Sequence, residues 1–186
     1  MASRKALNHI LVLPILLMNC FVLQNTQEVE DFVTATCKHT LHFQTCVSSL
    51  RSVPSSKTSH LKGLAEIALN LSTTYATKTL SYVYELKSSA ASGTNNNYTS
   101  SCLSDCVEEY SEAIENLKDS AEALANGEYD TVDTLVSAAM SDAETCEDGF
   151  KDMLSDDNAS NSPLTERNCY FSELCSNALA ITKLLV

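Results

Sequence analysis

Two stripes of apolar side chains, each carrying a cysteine, constrain this chain more than any other feature. Val132, Leu135, Ala139, Ala143, Cys146, Phe150 and Met153 follow one another at spacings of three or four, the seam of a helix buried inside a bundle. Just before it, Leu103, Cys106, Tyr110, Ala113, Leu117, Ala121 and Leu124 make a second seam of the same period. Asn126-Gly127 reads as the C-terminal stop of that helix, and Asp130 as the N-cap of the next. Two consecutive antiparallel helices with a cysteine on each buried stripe invite a Cys106–Cys146 staple. Closing a loop of about 40 residues in this way would restrict the unfolded chain by about 4 kcal/mol.

The rest of the chain supplies partners for those two helices. Leu61, Leu64, Ala68, Leu71, Tyr75, Thr79, Tyr82 and Leu86 mark a helix of about 25 residues, and Phe171, Leu174, Ala178, Ile181 and Leu185 mark a last one. Ser88–Asn97 and Ser155–Ser162 read as polar loops, Arg51–Ser59 as a linker, and Ser162-Pro163 as a helix start with proline at its first position. Strand-like alternation is absent, and four glycines with three prolines are too few for a turn-rich β chain. The predicted fold is all-α: an up-down-up-down four-helix bundle over about residues 60–186, preceded by a helical hairpin over about 28–50. Cys37 and Cys46 are close enough to staple that hairpin. With His39 and His42 they could also be read as four zinc ligands, but a structural zinc site spaces its ligand pairs across a longer loop. An oxidising compartment favours the disulfide, so no metal is assigned.

Such a compartment is indicated by the N-terminus. Arg4 and Lys5 precede an apolar run from Ile10 to Leu23, the layout of a secretory signal peptide covering about residues 1–25 and too short for a comfortable transmembrane span. No small-x-small pattern fixes the cleavage point. What remains is one domain of about 160 residues, with ten basic against 24 acidic residues and a formal charge of −14. Nucleic acid and anionic membrane are poor partners for that surface. The sequons at Asn70, Asn97 and Asn158 fit a secreted glycoprotein.

No catalytic constellation is present. Only His39, His42 and His60 remain once the leader is removed, with no nucleophile elbow and no phosphate-cradling glycine loop, so neither enzyme activity nor a cofactor is expected. Glu108, Glu112 and Glu115 lie at i, i+4 and i+7 on one outer helix stripe. They read either as a solubility face or as a binding face for a cationic partner. A bundle for a small apolar ligand, and a storage glycoprotein, are the other readings that composition permits.

The spacing C-x8-C followed by C-x39-C, with DCVEEYSEAIENL, YDTVDTLVSAAMSDAETCEDGF and ELCSNALAI, resembles the plant invertase and pectin methylesterase inhibitor family over nearly all of residues 28–186. The resemblance implies the bundle-plus-hairpin fold with disulfides at Cys37–Cys46 and Cys106–Cys146, and a monomer that occludes a carbohydrate-active enzyme of the cell wall in a one-to-one complex. Invertase inhibitors carry Pro-Lys-Phe at the turn into the third bundle helix. This chain has Glu128-Tyr129-Asp130 there, and SAAMSDAETCEDGF looks more like the methylesterase inhibitors, so pectin methylesterase is the expected target and acid invertase the alternative. Carried over residue by residue, the resemblance implicates Glu108, Glu112 and Glu115 with Thr145 and Asp148. Cys102 and Cys169 depart from the family pattern; they are candidates for a third bridge, which leaves Cys175 as the unpaired thiol.

Overall fold

The computed structural model describes residues 31–91, 97–151 and 162–186, with backbone alone at 91, 97 and 98. The leader, Met153 and the Asn158 sequon lie outside those residues. Two short helices come first, α1 (Phe32–Cys37) and α2 (Phe43–Arg51). The Asp31 carboxylate caps α1 by accepting hydrogen bonds from the Thr34 hydroxyl at 2.8 Å and its N–H at 3.2 Å. Those bonds, and then the Arg51 guanidinium, hold the Asp31 carboxyl at about 2. A disulfide joins Cys37 to Cys46 with Cα atoms 5.7 Å apart. Each sulfur is therefore bonded to the other and is not a thiolate available to His39 or His42.

A 3-10 turn, Pro54–Thr58, leads into α3 (Leu61–Ala91), whose 31 residues exceed the expected 25. Its buried stripe runs Leu64, Ala65, Ala68, Leu69, Ser72, Ala76, Thr79 and Val83, with Leu71, Tyr75, Tyr82 and Leu86 half-buried beside it. The arc is wider than a single seam because α3 packs on α4 and α6 and is also covered by the hairpin. Next, α4 (Asn97–Asn126) keeps the predicted seam as far as Leu117. Beyond it Ser120 is buried and Ala121 exposed; Ser120 enters the core by donating its hydroxyl to the Leu117 carbonyl at 2.7 Å.

At the end of α4, Gly127 takes φ +79°, a left-handed conformation open to glycine. Its N–H donates to the Leu124 carbonyl and that of Glu128 to the Ala123 carbonyl, at 3.1 and 2.9 Å, which is a Schellman closure. The chain turns within two residues, so α5 (Tyr129–Lys151) starts earlier than expected and Asp130 is not its cap but a member of its first turn. There its charge still favours the helix N-terminus. The last helix, α6 (Thr165–Lys183), starts later than expected. Ser162 and Pro163 form a turn ahead of it, with the Ser162 hydroxyl accepting from the Leu164 N–H at 3.1 Å and Leu164 fully buried as the anchor.

Helices α3 to α6 each pack on two neighbours in a closed ring, and the hairpin rests on α3 and α6. No helix among the described residues is long and apolar enough to cross a membrane. Within the core, the buried Tyr110 hydroxyl donates to Asn168 Oδ1 at 2.6 Å. Asn168 Nδ2 in turn donates to Glu147 Oε2 at 2.8 Å, and the Thr165 hydroxyl to Glu147 Oε1 at 2.6 Å. This chain of bonds ties α4, α5 and α6 together.

Burial also raises two acids of the core: the Cys175 thiol is pushed up to about 12, and the Tyr110 phenol is raised well above its ordinary range. In the unfolded chain these groups lose their protons near pH 8.5 and 10, while the folded chain keeps them. Their contribution to stability is therefore complete below about pH 8.5 and falls as pH rises through that window. Thermal melts are expected to show the melting temperature declining between pH 8.5 and 10.5, with the first part of the decline reduced in Cys175→Ala. A flat profile over this range in the unaltered protein would contradict the burial argument.

Candidate functional site: the α4–α5 face

Cys106 and Cys146 are joined, with Cα atoms 4.7 Å apart and both residues buried. The bond fixes the register of two antiparallel helices, so residues one turn beyond Cys106 meet residues one turn before Cys146. Asp142 is thereby placed against the α4 carboxylates, and Asn116 Nδ2 donates to its Oδ2 at 3.1 Å. Burial first, and then the charges of Asp142, Glu112, Glu108 and Asp105, raise the Glu109 carboxyl above its ordinary value. Asp142 is raised by burial and by Glu112, against the lowering effect of Asn116. These shifts describe one cluster of like charges between the two helices. It is held together by the staple and the packing beneath it, and its own charges oppose it.

The stripe read from the sequence forms the outer part of this face. Glu108, Glu112 and Glu115 are all exposed, and Glu112 is the member whose charge reaches both Glu109 and Asp142. On α5, Thr145 is exposed, with its hydroxyl donated to the Ser141 carbonyl at 3.0 Å. Asp148, also exposed, is bound to Lys151 Nζ of its own helix at 2.9 Å. Asp105, Glu109, Asn116 and Asp142 join the face although periodicity did not mark them. The signal that finds them is the Cys106–Cys146 register itself, since Glu109 lies three residues after one cysteine and Asp142 four before the other. Glu128, Tyr129 and Asp130 sit at the far end of α5, where Tyr129 and Asp130 border a cleft of about 90 Å³ shared with Asp133 and Lys183.

The family model described as "Plant invertase/pectin methylesterase inhibitor" matches residues 31–181. The chain belongs to this family. A Platanus acerifolia protein named "Putative invertase inhibitor" is 32% identical over 161 residues, covering 83% of this chain and 86% of the relative. The "Pectinesterase inhibitor" of Actinidia deliciosa is 28% identical, covering 82% of this chain and 78% of the relative. In three dimensions the chain is similar to the crystal structure of mutant form A of a pectin methylesterase inhibitor from Arabidopsis, with a TM-score of 0.66 at 27% identity over 83% of this chain and 97% of that one. Membership makes the chain an inhibitor-type protein and not a catalyst.

For the remaining cysteines of this member of the invertase/pectin methylesterase inhibitor family, one expectation fails. Cys102 and Cys169 do not form a third disulfide. The Cys102 side chain is buried and points at α5, its Sγ 3.2 Å from the Gly149 carbonyl, whereas Cys169 is exposed on α6. Being early in two helices at the same end of the bundle does not suffice when one side chain faces away from the other's helix. Cys175 is buried and not disulfide-bonded. Of the sequons, Asn70 is exposed on α3, and Asn97 is the first residue of α4.

Proposed function

We propose that this chain is a secreted inhibitor of pectin methylesterase, acting in the cell-wall space and covering the enzyme's substrate cleft with α4 and α5 in a one-to-one complex. The observation that carries the reading is the repelling cluster of Glu108, Glu109, Glu112 and Asp142. A face whose charges oppose one another in the free protein gains when an outside cation neutralises them. A cleft that holds a polyuronate offers such cationic and hydrogen-bonding groups, and carboxylates spaced along a helix can engage them as the polyanion does. Glu128-Tyr129-Asp130 in place of the invertase-type Pro-Lys-Phe supports the esterase as target, and the leader Ile10–Leu23 supports secretion. Acid invertase is the second reading, favoured by the name of the Platanus relative.

The deciding experiment titrates the purified protein against a plant pectin methylesterase and an acid invertase in separate assays. Stoichiometric inhibition of the esterase with little effect on invertase is expected, and the reverse selectivity would establish the second reading. Glu112→Gln with Glu115→Gln together should weaken the esterase complex by a few-fold to about thirtyfold, the scale of exposed charge contacts worth about 0.2–1 kcal/mol each. Added salt should erode the same contribution, chiefly through slower association. If affinity is unchanged in the double variant and insensitive to salt, the acidic face is a solubility surface only.

A further inference from the structure

On the opposite side of the ring from α4–α5, a groove of about 310 Å³ runs between α2, α3 and α6. We propose that this groove binds a short carboxylated oligosaccharide of the uronate type, independently of the enzyme-binding face. Its volume lies at the small end of the range for ligand sites. Leu71 and the buried Leu174 line it with two aromatic rings, Tyr75 and Tyr170. Those rings meet edge to face with centroids 4.8 Å apart. In that arrangement a ring face is not consumed by the partner ring and can receive the C–H face of a pyranose.

The polar complement suits a sugar acid. Ser48 on α2 and Ser52 at its C-terminal cap donate their hydroxyls to the Thr45 and Ser49 carbonyls at 3.2 and 2.6 Å. Their oxygen lone pairs are left to accept from sugar hydroxyls. The one charged residue lining the groove is Lys78, exposed and without an ion pair among the described residues. An ammonium free of a protein carboxylate is the group that would hold a uronate.

The second argument is what the groove lacks. In a chain with 24 acidic and 12 basic residues, none of the side chains lining it is acidic. By contrast, the cleft of about 680 Å³ at the start of α6 sets Glu147 and Glu166 against Lys151 and Arg167, and the small cleft near the C-terminus sets Asp130 and Asp133 against Lys183. The hairpin beside the groove shares this bias. Its two helices contain no acidic residue; Lys38 caps the end of the first, and Arg51 ends the second and is paired to the Asp31 cap. On the neighbouring turn of α6, Glu173 is engaged by the Thr45 hydroxyl and lies 3.6 Å from His42 Nδ1. Of these three clefts, the groove is the one whose lining presents a cation and no carboxylate to a carboxylated ligand.

The test uses the purified chain with no enzyme present, so that its outcome does not depend on the inhibitory reading. Digalacturonate, neutral galactobiose and ferulate are titrated while the methyl resonances of Leu71 and Leu174 are followed by NMR. Digalacturonate is expected to shift both in a saturable way, and galactobiose to bind about fivefold more weakly, the scale of one exposed charge contact. Lys78→Gln should bring digalacturonate down to the affinity of galactobiose, and Tyr170→Ala should abolish binding of both, with thermal melts confirming that each variant is folded. The proposal is overturned if the two disaccharides bind equally, if Lys78→Gln preserves their difference, or if neither shifts the two leucines. Stronger saturable binding by ferulate would also overturn it, by reassigning the groove to aromatic acids.

Discussion

Replacing Cys106 and Cys146 together by alanine is expected to destabilise the bundle by about 4 kcal/mol, the loop-closure entropy restored to the unfolded chain when a link across 40 residues is cut. For a domain of this size that corresponds to a fall of about 8–16 °C in melting temperature. The same change at Cys37 and Cys46, separated by nine residues, should cost about 3 kcal/mol in the same chain-entropy treatment. It should appear mainly as loosening of the hairpin, because that disulfide lies within α1 and α2 and links no bundle helices. Circular dichroism melts of the two double variants, compared under identical conditions, make the measurement. A smaller loss at Cys106 and Cys146 than at Cys37 and Cys46 would mean that packing along the α4–α5 seam holds the register without help from the bond.

The other large effect is expected at Asn168. Its amide accepts from the Tyr110 hydroxyl and donates to Glu147, and Tyr110 is fully buried. Asn168→Ala therefore removes one residue and leaves two polar groups without their partner, for which about 2–3 kcal/mol is expected. Glu147 is only half-buried and can recover water, so most of the loss falls on the phenol. Tyr110→Phe takes away the same hydrogen bond and leaves the buried Asn168 Oδ1 without its donor; an under-satisfied carbonyl oxygen is tolerated better than a stranded hydroxyl, so about 1–2 kcal/mol is expected. In the double variant the two losses should add to less than their sum, since the orphaned hydroxyl is gone. Urea denaturation of the three variants measures all of these terms. If Asn168→Ala is no worse than Tyr110→Phe, the hydroxyl is satisfied by water in the variant and the bond network is not what holds α6 in place.

The parts of this molecule that could be read from sequence are those where one local rule acts alone. The seam on α4 as far as Leu117, the stop at Gly127 and the two stapled cysteine pairs each follow from periodicity or from backbone conformation over a few residues. Where two elements compete for the same residues, the reading slips. Asp130 looks like a cap until the Schellman closure at Gly127 and Glu128 moves the start of α5 forward. Leu71 and Tyr75 look like seam residues, yet they line the groove between α2, α3 and α6, which a helical period cannot show. The pairing proposed for Cys102 and Cys169 failed for a related reason, because nearness along the bundle axis says nothing about direction around each helix. On the candidate site, Glu108, Glu112 and Glu115 were legible as a stripe. Glu109 was legible as part of the same acidic run but not as a neighbour of α5, and Asp142 became visible only when the Cys106–Cys146 register was applied across two helices.

The 4.7 Å separation of Cys106 and Cys146 has a further consequence for the timing of encounter with a partner. Helices pinned so closely along an apolar seam behave as one plank, and the acidic face they carry is already in its final arrangement before anything touches it. Little side-chain or loop ordering is left to be done on association, and interface backbones of this kind move little between free and bound states. Association with a target enzyme should then proceed as a single exponential whose rate grows linearly with enzyme concentration, with no slow isomerisation phase. Differences in affinity among α4–α5 variants that keep their charge should accordingly lie in how long the complex lasts, not in how often it forms.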